Sequence, residues 1–265
     1  MDLAINGKTA LITGAQGGIG LATAKALAAE GVNLVLSDLD AEALAQAAGQ
    51  LPGEPLCITA DVTDQSDVDA LVKQGTERFG AIDIVIHTAG VTGAKGDPLE
   101  LSDEDYEHAW KIDFFSAVRI ARATIPAMRA RGWGRFICIT SENTVQPYWE
   151  EAIYNTAKAS LSAFVKNLSY KEAAHGVLCN TVAPAFIESP MTDGMMENRA
   201  KELNCSFDEA VASFLDEERP GIVAKRRGQA DEVAFVIAML VSERASFVNG
   251  SNVRVDGGSV LAVQN

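Results

Sequence analysis

Residues 8–20, KTALITGAQGGIG, join an apolar β-rich run to a glycine-rich turn and then to the start of a helix. Gly14, Gly18 and Gly20 stand where the chain must turn sharply, approach a ligand closely and begin that helix. The free backbone N–H groups at a helix start attract a pyrophosphate. A glycine-rich turn alone is weak evidence, but its place between a strand and a helix predicts a nucleotide site here rather than a plain tight turn.

The rest of the chain repeats the alternation of strand and helix. The β-rich segments are KTALIT, VNLVLS, PLCIT, IDIVIHT, GRFICIT, VLCNTVA and NVRV, and Ala- and Leu-rich stretches separate them. Unbroken apolar strands between helices are typical of a parallel sheet that is covered on both faces. Right-handed crossovers then predict a single-domain, doubly wound Rossmann-type α/β fold over residues 1–265, with a parallel sheet of about seven strands.

One segment departs from the alternation. Residues 189–219 insert an acidic helical excursion between the sixth and seventh strands. We expect this segment to be a lid over the substrate. The alternative is a solvated helical insertion with no role at the site.

Composition narrows the possible partners. The chain has 265 residues, is 48% hydrophobic and carries a formal net charge of −14. Such a charge repels phosphate backbones and anionic headgroups, so we expect neither nucleic acid nor a membrane surface as a partner. The N-terminus does not resemble a signal peptide, and no uncharged stretch reaches the roughly 20 residues of a membrane span. We therefore expect a cytoplasmic protein.

The cysteines suggest neither a disulfide framework nor a metal centre. Cys57, Cys138 and Cys179 lie in strand-like runs, and Cys205 lies in a polar helical region. No CxxC pair or Cys/His cluster has the spacing of metal ligands. We expect free thiols, the first three of them buried, and no metal site.

Asp38 follows the second strand in LVLSDLD, where a carboxylate can accept hydrogen bonds from an adenosine ribose. It would repel a 2′-phosphate, because like charges about 4 Å apart cost on the order of 4 kcal/mol at an effective dielectric near 20. Leu39 and the loop AQG add no positive charge that could offset this repulsion. The sequence thus favours NAD over NADP, and the alternative makes Asp38 the N-cap of the next helix.

The third and fourth strands also end in candidate contacts. Asp61 is placed to accept from an adenine amino group, with Val62 as a backbone neighbour, whereas Asp64 is better explained as a helix cap. After the fourth strand, HTAGVTG brings small residues and backbone near the cofactor. His87 has an apolar strand before it and no paired acid in the sequence, which favours a structural role over a catalytic one.

The stretch YNTAK places Tyr154 and Lys158 on one face of the helix that follows the fifth strand. A tyrosine with its ordinary pKa of about 10 is a poor base at neutral pH. An ammonium 4 to 5 Å away favours the phenolate by roughly 3 kcal/mol, about two pKa units. We expect this pair, with the hydroxyl of Ser141 at the end of FICITS, to act on one alcohol or ketone oxygen.

The chain resembles the short-chain dehydrogenases/reductases along essentially its whole length. The resemblance rests on TGAQGGIG, ADV, Ser141, YNTAK, NTVAPAFIESPM and VNGSNVRVDGG. It implies that the glycine turn binds the pyrophosphate and that Ser141 positions the substrate oxygen. It also implies that Tyr154 is the acid/base and that Lys158 holds the nicotinamide ribose and lowers the pKa of the tyrosine.

The resemblance extends to the nicotinamide side and to assembly. Pro184, Ile187 and Ser189 match the family's nicotinamide loop, although Ala185 replaces the usual Gly. A homotetramer assembled through the helices that contain residues 106–128 and 154–174 is implied as well. The expected cofactor contacts are Gly14, Gln16, Gly18, Ile19, Gly20, Asp38, Leu39, Asp61, Val62, Thr88, Ala89, Gly90, Tyr154, Lys158, Pro184, Ile187 and Ser189.

Two other positions also depart from the family pattern. The usual Asn-Asn-Ala-Gly is HTAG here, so Thr88 must tie the end of that strand in place of an amide. In WKIDFFSAV, Asp113 stands where the family has an Asn that completes a proton relay through water to the Lys. An ionised aspartate can accept a hydrogen bond from water or from Lys158 but cannot donate one. Asp113 is therefore a catalytic candidate that puts the relay in doubt.

The segment ENTVQPYWEEAI is expected to border the substrate pocket. Glu142, Asn143 and Gln146 offer hydrogen bonds, and Trp149 offers a flat apolar wall. This mixture suits a polyhydroxylated or cyclic secondary alcohol better than a hydrocarbon chain, although a plain surface loop explains most of these residues equally well.

The sequence thus predicts an NAD-dependent oxidoreductase that interconverts a small-molecule secondary alcohol and a ketone. A second enzymatic hypothesis is reduction of a 3-oxoacyl group on an acyl carrier protein. Only Arg129, Arg131 and Arg135 form a basic cluster that could meet such an acidic carrier, and they lie at a helix end, where cations stabilise the dipole. A third hypothesis is an NAD(H) sensor or scaffold that has lost the chemistry, which Asp113 and HTAG favour and the intact Ser141, Tyr154 and Lys158 oppose.

Overall fold

All seven predicted strand segments enter one parallel sheet in the computed structural model, which describes residues 2–263. The strands are β1 (Thr9–Thr13), β2 (Asn33–Asp38), β3 (Leu56–Thr59), β4 (Ile84–His87), β5 (Gly134–Ile139), β6 (Val177–Pro184) and β7 (Asn252–Val255). Their order in the sheet is β3-β2-β1-β4-β5-β6-β7. The predicted Rossmann-type α/β fold is therefore confirmed.

Helices cover both faces of this sheet. They are α1 (Gly18–Ala29), α2 (Ala41–Ala48), α3 (Gln65–Phe79), α4 (Asp103–Trp110), α5 (Ser116–Arg131), α6 (Ala152–Glu172), α7 (Pro190–Leu203), α8 (Phe207–Glu217) and α9 (Ala230–Val241). One apolar core joins α1 and α9 to the sheet, and a second joins α3, α5 and α6 to it. Because β1 lies between β2 and β4, the strand order reverses beside β1, and ligands bind beyond the carboxyl ends of the strands at such a point.

A single π-helical turn, Lys111–Phe115, joins α4 to α5 and carries Asp113. π-Turns inside helices are often found at functional sites, because the extra residue redirects a side chain. Here the turn places the Asp113 side chain in the interior, where it is 0% exposed.

The segment between β6 and α9 forms α7 and α8, as the predicted excursion requires. A small apolar cluster separate from the two main cores anchors it. Its buried members are Phe186, Met196, Phe214, Leu215 and Ile222.

One prediction about burial is wrong. Cys138 and Cys179 are buried, as expected, but Cys57 is exposed. The reason is its place in β3, which forms the edge of the sheet and has solvent beside it. Within residues 2–263, no helix combines the length and the apolar character that crossing a membrane requires.

Candidate active site

The glycine turn after β1 is fitted closely against the end of β4. Gly14 has a φ of 66°, and a Cβ there would lie 2.7 Å from Thr88 Oγ1 and 2.8 Å from the backbone N of Ala89. Thr88 Oγ1 donates to the Thr13 carbonyl at 2.6 Å. Thr88 therefore ties the two strand ends together, as the sequence predicts for the residue that replaces the family's amide.

The start of α1 leaves its backbone N–H groups available to an anion. Gly17 occupies the N-cap, and no side chain of the described residues caps this helix end. Gly18 has a φ of 53°, and a Cβ on Gly20 would overlap the Gly14 carbonyl. These positions fit a pyrophosphate that approaches the backbone, because a side chain at either of them would strain or fill the cradle.

The Asp38 carboxylate is held at the end of β2 by two backbone donors. Gln16 N donates to its Oδ2 at 3.1 Å, and Leu39 N donates to its Oδ1 at 2.8 Å. The N-cap of α2 is Asp40, so the alternative role of Asp38 as that cap is wrong. Each Asp38 oxygen keeps a lone pair with which to accept from a ribose hydroxyl.

The other candidate cofactor residues also lie after strand ends. Asp61 follows β3 and accepts from Thr63 N at 2.8 Å, while the buried Val62 packs into the core. Asp64 caps α3, as predicted. Within residues 2–263, no group of three or more His, Cys, Asp or Glu side chains is placed to hold a metal ion.

The nicotinamide-side candidates lie between β6 and α7. Pro184 ends β6, and Ile187 pairs with Gly228 in an isolated bridge. Ser189 caps α7, where its side chain accepts from Thr192 N. This cap fixes the entry of α7 next to the carboxyl edge of the sheet.

His87 is a buried structural residue. Its Nδ1 lies 2.9 Å from Thr13 Oγ1, and its Nε2 lies 2.9 Å from Ser116 Oγ. Burial first, and then the charge of Lys158, lower the pKa of His87 to about 3. The ring is therefore neutral at physiological pH and its two nitrogens are occupied, as the predicted structural role requires.

Lys158 lies beside Asp113 in the interior. Its Nζ is 3.8 Å from Asp113 Oδ2 and donates to the Ile139 carbonyl at 3.3 Å. Asp113 Oδ1 accepts from Val91 N at 2.7 Å. A Cβ on Gly90 would lie 2.8 Å from Asp113 Oδ1 and 2.9 Å from Lys158 Nζ, so only glycine leaves room for this pair.

The expected effect of Lys158 on Tyr154 is wrong in this structure. Burial raises the pKa of the Tyr154 phenol well above its ordinary value, and the Asp113 and Glu142 carboxylates raise it further. The Lys158 ammonium is 5.5 Å from the Tyr154 ring centroid but closer to Asp113, whose negative charge offsets its own. Burial also raises the pKa of Asp113, and Lys158 opposes that rise.

Ser141 lies at the end of β5 in a buried polar cluster. Its Oγ lies 2.8 Å from Glu142 Oε2 and 3.0 Å from Asn143 Oδ1, either of which can accept its one hydrogen, and it accepts from Asn143 N at 3.2 Å. Glu142 and Asn143 are only 3% and 4% exposed, so a plain surface loop does not describe them. Trp149 differs, because it is 67% exposed and lies outside this cluster.

Sequence reasoning missed a charged network that joins the cluster to the segment after α8. Glu151 Oε1 accepts from Arg219 Nη2 at 2.9 Å and from Lys95 Nζ at 2.6 Å. Glu151 Oε2 accepts from Asn143 Nδ2 at 2.7 Å. Burial tends to raise the pKa of Glu151, but Arg219 and Lys95 outweigh it and hold that pKa below its usual value.

A local signal for Glu151 was present, because it precedes Tyr154 by three residues, the spacing of neighbours on one helix face. Arg219 carried no such signal, since it is distant in the sequence. Its guanidinium lies 3.4 Å from the Tyr148 ring centroid. Gln146, which was predicted to border the substrate pocket, binds the C-terminal segment instead: its Oε1 accepts from Leu261 N at 3.2 Å.

Comparison with known proteins adds independent evidence. A model of the enoyl-(acyl carrier protein) reductase family matches residues 14–260. Oxidoreductase UcpA of Escherichia coli (strain K12) is 32% identical, with 97% of this chain and 96% of that protein aligned. The 3-oxoacyl-[acyl-carrier-protein] reductase FabG of the same strain is 32% identical, with 96% of this chain and 98% of that protein aligned.

A solved structure is similar along the whole length. L-Sorbose reductase from Gluconobacter frateurii, complexed with NADPH and L-sorbose, superposes with a TM-score of 0.93 at 34% identity and covers 99% of this chain and 100% of its own. These proteins are oxidoreductases by name. Since the glycine cradle, Ser141, Tyr154 and Lys158 stand where the family motifs place them, this chain belongs to the short-chain dehydrogenase/reductase family.

Proposed function

We propose that this protein is an NAD-dependent oxidoreductase that interconverts a secondary alcohol and a ketone. The observation that carries the proposal is the Tyr154 phenol beside the Ser141 hydroxyl, with the Lys158 ammonium 5.5 Å from its ring centroid. A glycine cradle that fits a dinucleotide pyrophosphate lies in the same chain. The nicotinamide supplies or accepts the hydride when it is bound. The protein supplies the proton, the orientation and the exclusion of water.

Tyr154 is the acid/base. Because its pKa is raised, the phenol is protonated at neutral pH and ready to donate to a ketone oxygen. Ser141 supplies a second hydrogen bond to that oxygen, which stabilises the negative charge that develops there. Lys158 is placed to bind the nicotinamide ribose, with Asp113 as its buried partner.

The preference for NAD rests on Asp38. Its carboxylate, held at the end of β2 by two backbone donors, would accept from the adenosine ribose hydroxyls and repel a 2′-phosphate, and Leu39 next to it is 68% exposed and uncharged. The sorbose reductase structure was solved with NADPH, so the fold alone does not set a preference for NAD.

A polyhydroxylated or cyclic substrate suits the polar wall of the site. Glu142 and Asn143 are buried beside Ser141, and the Tyr148 hydroxyl lies 3.3 Å from Ser259 Oγ. Buried carboxylate, amide and hydroxyl groups favour a ligand that brings hydrogen bonds of its own, because unpaired buried polar groups are costly. L-Sorbose, which the similar structure holds, is a substrate of this kind.

Reduction of a 3-oxoacyl group on a carrier protein is the second candidate, favoured by the similarity to FabG. The basic cluster weighs against it. Arg129 pairs with Glu172 at 2.8 Å, Arg131 donates to the Ile82 carbonyl at 2.6 Å, and Arg135 is only 2% exposed. These three cations do not form an open face for an acidic carrier.

We further propose a single catalytic domain in which α7 and α8 act as the lid. The contacts of Arg219 with Glu151 and Tyr148 support this role, because they connect the end of α8 to the site. We also propose a cytoplasmic homotetramer assembled through the surfaces of α4, α5 and α6. Light scattering of the purified protein measures the assembly.

A panel of polyols, cyclic alcohols and ketones tests the function, with NADH absorbance as the signal. Tyr154→Phe should lower turnover about a hundredfold or more while NADH still binds, because the phenol proton is lost with little change in volume. Retained turnover would move the acid/base role to another residue. An acyl thioester with NADPH in the same panel tests the second candidate, and hydride transfer that Tyr154→Phe abolishes excludes a silent sensor.

Cofactor choice has its own test. Asp38→Ala combined with Leu39→Arg should move the preference from NAD toward NADP, since a repulsive charge is replaced by one that binds a phosphate. The comparison needs kcat/KM for both cofactors in both proteins. Equal affinity of the unsubstituted protein for NAD and NADP would contradict the role of Asp38.

A further inference from the structure

Glu142 is a buried carboxyl in direct contact with the serine of the site. It follows Ser141 in the short helical turn Glu142–Thr144, is 3% exposed, and accepts the Ser141 hydroxyl hydrogen at 2.8 Å. The backbone N of Asn143 donates to the same Ser141 oxygen at 3.2 Å. The serine hydroxyl is therefore held by its neighbours on the donor side and on the acceptor side.

This arrangement conflicts with the proposed reaction. A serine hydroxyl has one hydrogen to donate. If Glu142 is ionised, it can only accept, and it takes the hydrogen that a ketone oxygen needs. If Glu142 is protonated, it can donate to the Ser141 oxygen instead, and the serine hydrogen is released from Glu142 to point at the substrate, with Asn143 Oδ1 at 3.0 Å as its other acceptor in the protein.

We propose that Glu142 is a positioning residue whose proton sets the direction of the Ser141 hydroxyl, so that only the protonated carboxyl allows Ser141 to donate to the reacting oxygen. The inference rests on the proposed function and deepens it. It adds a residue that controls the site without touching the substrate oxygen itself.

Burial, partly opposed by nearby groups, raises the pKa of Glu142 toward neutrality. Burial raises the pKa of Glu142 to about 7, while the Ser141 hydrogen bond and Arg219 oppose the rise and Glu151 adds to it. Glu151 is paired with Arg219 and Lys95, so its own charge is largely compensated. The other titratable groups that face Glu142 are the phenols of Tyr148 and Tyr154.

A single ionisation that disables the donor gives a definite pH profile. For ketone reduction, kcat/KM should be level below about pH 7 and fall about tenfold per pH unit above it. Alcohol oxidation passes through the same transition state, but it releases one proton. Its kcat/KM should therefore rise with pH up to about pH 7 and be level above it. The fall should level off after about a hundredfold to a thousandfold, the usual effect of losing one such donor.

Glu142→Gln tests this with a neutral side chain of nearly the same shape. In the variant, reduction should stay level through pH 9 and oxidation should keep rising past pH 7, while NADH affinity is unchanged. The matched control is Glu150→Gln, which removes the same charge from an exposed position in the neighbouring turn and should keep the wild-type profiles. A break near pH 7 that persists in Glu142→Gln would overturn the inference.

A second measurement does not depend on turnover. Carboxyl 13C NMR of the glutamate-labelled protein, with Glu142→Gln to identify the signal, should show Glu142 titrating near pH 7. A signal that titrates near the ordinary glutamate value of about 4.3 overturns the inference even if no substrate has been found. Absence of any Tyr154-dependent hydride transfer would instead remove the proposed function, so the two failures are distinguishable.

Discussion

Two buried carboxyl groups raise the pKa of Tyr154, and they have different partners. Asp113 is 0% exposed and faces the ammonium of Lys158 at 3.8 Å, whereas Glu142 is 3% exposed and bonds to the neutral hydroxyl of Ser141. Burial raises the pKa of both carboxyl groups. The difference is that Asp113 has a cation beside it that opposes the rise directly, while Glu142 depends on a hydrogen bond and on Arg219.

Because of this difference, the two carboxyl groups have different functions. Asp113 balances the charge of Lys158 and thereby weakens its effect on Tyr154, whose pKa is raised rather than lowered. Glu142 has no cation of its own in the inner site and is free to exchange its proton near neutrality. We call Asp113 and Lys158 the inner pair, and Glu142 and Ser141 the outer pair. The inner pair keeps its charges, and the outer pair changes its charge with pH.

Gly90→Ala should break the inner pair and leave the outer one intact. The added methyl would lie 2.8 Å from Asp113 Oδ1 and 2.9 Å from Lys158 Nζ, which forces the two groups to move. We expect kcat/KM to fall about a hundredfold or more, because small displacements of catalytic groups have effects of this size. Steady-state kinetics measure the loss.

The control for this substitution is Gly49→Ala, at an exposed C-cap with ordinary helical φ where the nearest atom to the added Cβ is 3.5 Å away. It should leave kcat/KM unchanged. Near-normal activity in Gly90→Ala would mean that the position of the Lys158 ammonium is unimportant to the reaction.

Asp113→Asn should sharpen the comparison by removing the charge of the inner carboxyl while keeping its shape. Its Oδ1 can still accept from Val91 N, so the π-turn should be retained. The Lys158 ammonium then acts on Tyr154 without an opposing charge, which lowers the pKa of the phenol. In the Glu142→Gln background, where the break near pH 7 is absent, we expect the pH at which oxidation stops rising to move lower by about one unit, with NAD affinity nearly unchanged.

The alternative is that Asp113 only supports its own helical turn. In that case Asp113→Asn should change the melting temperature and leave the pH profile in place. An unshifted profile would remove Asp113 from the catalytic group.

Local patterns in the sequence were sufficient to predict where the candidate residues lie, whereas their roles toward cofactor and substrate stay predictions. The glycine turn, Asp38, Ser141 and the Tyr154–Lys158 pair each follow from one short segment and the rule that ligands bind at the carboxyl edge of a parallel sheet. The contact of Thr88 with the end of β1 was also predicted. The family's Asn is missing there, so another side chain has to make the hydrogen bond between the strand ends.

The electrostatics of the site could not be predicted in the same way. The effect of Lys158 on Tyr154 depends on whether another charge lies closer to the ammonium, and that depends on how the π-turn directs Asp113. The pKa of Glu142 depends on its burial and on the charge of Arg219, which is distant in the sequence. Similarly, the exposure of Cys57 depends on the order of strands in the sheet, which its own segment does not encode.

The smallest expected effect is on stability, and it tests whether Glu142 changes its charge near neutral pH. Burial gives Glu142 a pKa of about 7 in the folded protein, above the value of about 4.3 for an unfolded chain. The folded state therefore binds this proton more tightly, so the stabilising contribution is fully present below about pH 4 and is lost as pH rises through 7. Glu142→Gln cannot lose a proton, so it should melt a few degrees above the wild type at pH 8 and close to it at pH 4. Melting curves across this range measure the difference, and Glu150→Gln should follow the wild type. A variant that is less stable than the wild type by the same amount at every pH would show that Glu142 does not change charge in this window.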